Sequence, residues 1–406
     1  MRAVAVTFAI TSALVAVVAA EPQLRSGEPD KARPTIPNVP AGALTGEQRA
    51  LVAAYSGAFG TGADFRTLLV HPDLVKGVLP FANYILAEST LTPRHRELLI
   101  LRTAWRTKSD YLWAKHHTRA LAAGLSKQEL SAIAERPALR WGEFEQALLR
   151  AADELHWDSV ISHQTWTALA TQYGVHELMD AAFTVAEMTM IAEVLNSVRV
   201  DLEPGWTLVE RSNPLRTSKR DADLPLTAPR IEPVVLAQAT PEIRAMLDPS
   251  GSGRDIAGVY RTFARHPRLY VPRQILSEYI RTKSTLSPRV REMLILRIGW
   301  RCQSAYEWAA HAPAGRRAGL TNDEIRMLAR SGYDGWNPAD TAIVRAADEL
   351  FDEDVISDAT WKALDDQFDE RQLLDVLITT GGYRMVSMVL NTFGVAAEPN
   401  SEPFPK

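Results

Sequence analysis

From Leu91 to about Val200, apolar residues recur at steps of three and four, the spacing of helices with one buried stripe. Leu98, Leu101 and Trp105 mark the first stripe. Thr92-Pro93 ahead of it supplies an N-cap followed by proline at the first helical position. Ser109-Asp110 opens a second helix, running to "AAGL" (122–125) with Gly124 as its C-cap. "SKQEL" (126–130) opens a third, with Glu129 three residues after Ser126 in the capping-box spacing. "FEQALLRAADELHW" (144–157), "SHQTWTALATQYG" (162–174) and "HELMDAAFTVAEMTMIAEVLNSVRV" (176–200) read as three more. No convincing alternating stretch predicts a strand, so the pattern predicts an all-α fold.

The pattern then returns. Residues 91–130 and 286–325 are identical at 20 of 40 positions, 195 residues apart. The same offset pairs His71-Pro72 with His266-Pro267, "RAADEL" at 150–155 with 345–350, Trp166 with Trp361 and Asn196 with Asn391, without a gap from about Glu47 to about Val200. The chain is a tandem duplication, and such repeats decide architecture. One repeat is expected over 32–203 and the other over 229–398, joined by a Pro- and charge-rich linker at 204–228.

Composition changes this picture little. The 406 residues carry 45 Lys and Arg against 49 Asp and Glu, a net charge of −4 that offers no general attraction to nucleic acid or anionic membrane. The first 20 residues pair one Arg with an Ala-rich apolar run ending in Val18-Ala19-Ala20. That pattern reads as a signal peptide rather than a membrane anchor, and a secreted or extracytoplasmic protein without stable membrane insertion is expected. The one cysteine, Cys302, has no intramolecular partner, so packing must supply the stability.

The stretch "SPRxRExLILRxxWRxxxxYxWAxHxxxxxxAGL", present in both halves with Thr92 in place of Ser in the first, resembles the carboxymuconolactone decarboxylase family, whose other branch is the AhpD alkylhydroperoxidases. The resemblance implies two helical-bundle repeats of the AhpD-like type. Members assemble as trimers or hexamers, so a homo-oligomer is implied, a trimer of two-repeat chains being one arrangement. In the peroxidase branch a Glu lies nineteen residues before a His, with a CxxC between them. Glu97 and His116 keep that separation, as do Glu292 and His311. The cysteine positions hold Ser109 and Leu112 in one repeat and Ser304 and Glu307 in the other. Dithiol peroxide reduction needs an attacking and a resolving thiol, so that activity is not expected.

What remains is a duplicated Glu–His pair. A carboxylate beside an imidazole orients it and favours its charged form, and such a His moves protons at carbon next to a carbonyl. The expected reaction is cofactor-independent acid–base chemistry on a small carboxylated or carbonyl compound, of the decarboxylase or lyase type. Glu97, His116, Glu292, His311 and Glu307 are the candidate catalytic residues. Glu307 gives the second repeat an extra carboxylate one turn before His311, which makes that repeat the favoured one. Arg102, Arg106, Arg297 and Arg301 are candidates to grip a substrate carboxylate; the alternative is that one of each pair ties helices together or packs its stem on a Trp. Trp113 and Trp308 are candidates to wall a pocket. Tyr111 and Tyr306 either donate to an enolate oxygen or point into a subunit interface. No metal-ligand spacing, phosphate loop or nucleophile elbow is present, and no cofactor is expected. The rival is a non-catalytic small-molecule-binding or assembly module in which the Glu–His pairs are structural.

Overall fold

The computed structural model describes residues 24–25, 36–134, 141–206, 208–209, 226–253 and 255–405. The signal-like segment 1–20 and most of the linker lie outside the described residues. The first repeat comprises α1 (Gly46–Phe59), α2 (Ala63–Leu68), α3 (Pro72–Asn83), α4 (Pro93–Arg106), α5 (Asp110–Ala122), α6 (Lys127–Ala134), α7 (Glu143–Asp158), α8 (His163–Ala170) and α9 (Val175–Val198). The second repeats the series as α10 (Pro241–Leu247), α11 (Gly258–Phe263), α12 (Pro267–Glu278), α13 (Pro288–Arg301), α14 (Ala305–Arg317), α15 (Asn322–Leu328), α16 (Pro338–Glu353), α17 (Asp358–Asp365) and α18 (Glu370–Phe393). The fold is all-α, as the sequence pattern implies. One two-residue antiparallel pairing departs from it: β1 (Leu24–Arg25) against β2 (Leu208–Val209).

The local signals act where expected. Thr92 and Ser287 accept from the backbone N–H groups of His95 and Val290, with Pro93 and Pro288 at the first helical positions. Ser126 and Thr321 exchange capping-box bonds with Glu129 and Glu324. A π-helical turn follows α3 at Tyr84–Glu88 and α12 at Tyr279–Lys283, a feature that apolar spacing does not encode.

In each repeat one helix, α4 or α13, packs against the following two helices, the long α7 or α16, and the last helix. The repeats join through α9 against α18 and α3 against α12. The two last helices have no polar face: α18 is buried continuously from Leu373 to Phe393. By length and composition α18 is apolar enough to cross a membrane, but that apolar window is wholly buried inside the fold. A helix apolar all round needs a neighbour on every side, and the duplication supplies one.

The inter-repeat contacts are reciprocal. Tyr84 donates to Asp180 (2.8 Å) and lies 2.9 Å from Nε2 of His266 across the boundary. Tyr279 donates to Asp375 (2.5 Å) and lies 3.0 Å from Nε2 of His71. Asn196 donates to the carbonyls of Thr107 and Asp354, and Asn391 to those of Cys302 and Ser159. This is the self-complementary pattern of a two-fold dimer held within one chain. Gly77 marks the tightest approach, since a Cβ there would lie 2.3 Å from Cγ of Tyr279. Gly77→Ala is expected to lower stability by about 1–3 kcal/mol through overpacking, measured by denaturant unfolding.

Candidate functional site

Both Glu–His pairs form as hydrogen bonds between consecutive helices. In the first repeat Nδ1 of His116 (α5) lies 2.8 Å from Oε2 of Glu97 (α4). In the second, Nδ1 of His311 (α14) lies 2.7 Å from Oε2 of Glu292 (α13). Their surroundings differ. His116 is 1% exposed, with Leu112 one turn before it, and burial pushes its pKa down against the pull of Glu97. The His311 side chain keeps 16% of its surface open. Its Nε2 lies 3.4 Å from Oε2 of Glu307, which packs against Gly299 where the first repeat has Ala104. Burial pulls the His311 pKa down, but the Glu292 hydrogen bond and both carboxylate charges outweigh it and the net shift is upward. Burial raises the Glu307 carboxyl, opposed by His311 and Arg273. The ring of Tyr383 meets His311 edge-on, with centres 4.9 Å apart.

The arginines expected at a substrate carboxylate are occupied. Arg102 makes two bonds to Asp153 (2.7 and 2.8 Å), and Arg106 two more to the same carboxylate (2.6 and 2.7 Å). Arg297 is likewise bidentate on Asp348, and Arg301 is shared between Asp348 and Asp352. All four tie α4 or α13 to α7 or α16, and their guanidinium groups serve Asp153 and Asp348 rather than the Glu–His pairs. Tyr111 is also turned away from its His: its hydroxyl bonds Asp64 (2.9 Å) and Glu203 (3.1 Å), where Lys115 also pairs with Asp64. Trp113 packs on Trp105 (5.7 Å between ring centres) and Trp308 on Phe404 (6.0 Å), both buried. Tyr306 is buried, with burial raising its pKa.

Three residues that sequence reasoning did not assign to the site stand beside the second pair. Arg273 on α12, Tyr383 on α18 and Tyr260 on α11 correspond at the 195-residue offset to Val78, Met188 and Phe65. The charges of Glu307 and Glu187 and the Tyr383 and Tyr260 hydroxyls act on Arg273, whose pKa burial nevertheless lowers. The available signal was this exchange of apolar for polar side chains at matching core positions. Among the described residues no three His, Cys, Asp or Glu side chains converge as a metal would require. A groove of about 550 Å³ between α3, α10 and α12, bordered by Lys76, Met246, Tyr270 and Ile275, is lined by neither Glu–His pair.

Glu187, fully buried on α9, has its carboxyl pushed by burial to about 8. Because the folded value lies above the ordinary 4.5, the native state holds a proton that the unfolded chain gives up. The resulting stability is complete below about 4.5 and is lost as pH rises toward 8. Glu187→Gln is therefore expected to flatten the fall in melting temperature across that range. An unchanged slope would mean that Glu187 is solvated.

These features define a class: a duplicated all-helical protein with a hydrogen-bonded Glu–His pair in each copy, asymmetric in the burial and polarity around the pairs. The model of the carboxymuconolactone decarboxylase family matches residues 72–154 and 268–349, so the chain carries that family's domain twice. No curated protein matches the chain.

Proposed function

We propose that the second repeat is a cofactor-independent acid–base catalyst acting on a small carboxylated or carbonyl compound, and that the first repeat serves as its structural counterpart. The observation that carries the reading is the contrast between the two imidazoles. His311 is partly open, flanked by Glu292 and Glu307, and shifted toward its charged form. His116 is sealed against Glu97 among apolar side chains and shifted the other way, which favours a structural role there.

In the decarboxylase form of the reaction, the bond to the departing carboxylate breaks and its electron pair stays on the substrate as an extended enolate. Imidazolium His311 gives a proton to the carbon and becomes neutral, and water restores the proton. Glu292 fixes the ring through Nδ1, which leaves Nε2 as the transferring atom. The signal-like pattern of the first 20 residues supports an extracytoplasmic setting for this chemistry in the same reading.

The test is mass-spectrometric turnover of a panel of carboxylated unsaturated lactones by the full chain in D2O. One deuterium on the product carbon, with release of carbon dioxide, is expected. A stably folded protein that turns over no member of the panel would move the reading to the binding or assembly module.

A further inference from the structure

The second Glu–His pair has a neighbour whose position is hard to explain by packing. Arg273 is 8% exposed, and among the described residues its Nε has no hydrogen-bond partner and its guanidinium forms no ion pair. Its contact is the face of Phe263, 5.6 Å from the ring centre. Holding a largely buried guanidinium without a carboxylate is costly in desolvation. The matching position in the first repeat is Val78, fully buried, so this place in the bundle packs without a charge.

Glu187 presents a second orphan. Both of its carboxyl oxygens are buried and without a partner among the described residues. It belongs to α9 of the first repeat, yet the charge that acts on it is that of Arg273 in the second. Its own counterpart is Gly382, so the reverse arrangement does not exist at the first pair. Tyr383 touches His311 and also acts on Arg273, so one tyrosine neighbours both the imidazole and the guanidinium.

We propose that Arg273, with Glu187 supplied by the other repeat, is an anchoring subsite for the carboxylate of a small monoanionic ligand held beside His311. This rests on the second repeat being the reactive one. Arg273 offers the bidentate fork that Arg102, Arg106, Arg297 and Arg301 have already committed to Asp153 and Asp348. Glu187, carrying a proton, donates to a ligand oxygen instead of repelling the anion. The site is composite, which gives the duplication a function: only in the fused chain can one half contribute Glu187 while the other half contributes Arg273. One ligand per chain follows.

The experiment is calorimetric titration of the full chain with coumalate (2-oxopyran-5-carboxylate), 2-furoate and levulinate, each beside its methyl ester. At least one acid is expected to bind at one site per chain, with its ester weaker by tenfold or more, or about 1.4 kcal/mol. Arg273→Val, which installs the residue already present at the matching position, is expected to bring the acid down to the ester's affinity without lowering the melting temperature. Glu187→Gln, which still donates but cannot ionise, is expected to keep the preference for the acid at pH 7. His311→Gln is expected to keep binding while losing turnover. The proposal is overturned if acid and ester bind alike, if Arg273→Val keeps the acid's affinity, or if no acid saturates at millimolar concentration. Selective binding without turnover in the wild type would leave the subsite standing and sink the catalytic reading. Turnover indifferent to Arg273 would do the reverse.

Discussion

His311→Gln is expected to lower kcat on a responsive lactone by about two to four orders of magnitude, the range for removing a positioned general acid. His116→Gln is expected to cost stability and leave kcat per folded molecule close to wild type. The two substitutions remove the same atoms from matching positions, so the comparison isolates environment. At His311 the side chain keeps 16% of its surface open and Nε2 lies 3.4 Å from Oε2 of Glu307. At His116 the side chain is closed off, and its lowered pKa leaves the ring neutral at pH 7. Catalysis by His311 as an acid also sets a sign for pH. Its acid form persists above the ordinary histidine range because its pKa is raised, and kcat falls as pH climbs through that raised value. A rate that rises with pH there would make His311 a base. Equal losses from both substitutions would put both repeats to work and remove the asymmetry on which the reading stands.

Much of the fold could be read from local chemistry because its signals are local. Thr92-Pro93, Ser287-Pro288 and the Ser126–Glu129 and Thr321–Glu324 boxes act within a single turn, and their spacing is visible along the chain. The Glu97–His116 and Glu292–His311 pairs were implied by the family resemblance through their nineteen-residue separation, and the structure brings each pair together between consecutive helices. Roles set by distant partners were not legible. The destination of Arg102 and Arg106 is Asp153, on α7, and nothing near the arginines announces it. Tyr111 is drawn away by Asp64 and Glu203, which precede and follow it by long stretches of chain. Arg273 escaped because a lone arginine in a helix usually lies on a solvated face. Its surroundings come from elements far along the chain, Phe263 on α11, Tyr383 on α18 and Glu187 on α9. The duplication held the missing clue in Val78, Phe65 and Met188 against Arg273, Tyr260 and Tyr383, a set of exchanges that becomes meaningful once those positions share one interior.

Asp153→Ala is expected to be the most destabilising single change in the first repeat, by about 3–5 kcal/mol, the range for breaking a buried ion pair. Asp153 accepts four bonds from two arginines that are themselves buried, and so ties the end of α4 to α7. Burial alone would raise its carboxyl, but Arg106 and Arg102 outweigh that and hold the pKa below the ordinary value. Removing the carboxylate leaves two guanidinium groups close together in the interior. Arg102 keeps only the carbonyl of Ile133 as a described partner, and that bond does not neutralise it. Asp348→Ala is expected to cost less, because Arg301 is partly exposed and has Asp352 as a second carboxylate. If charge burial is the cause, replacing Asp153, Arg102 and Arg106 together by Leu, Met and Met recovers most of the loss, since an apolar set of similar volume removes the unpaired ions as well as the bonds. Urea unfolding of the single, double and triple variants separates the explanations. A single variant within about 1 kcal/mol of wild type would mean that water reaches this triad. A triple variant as unstable as the single would mean that the geometry Asp153 imposes on α4 and α7, rather than charge, holds this half of the bundle together.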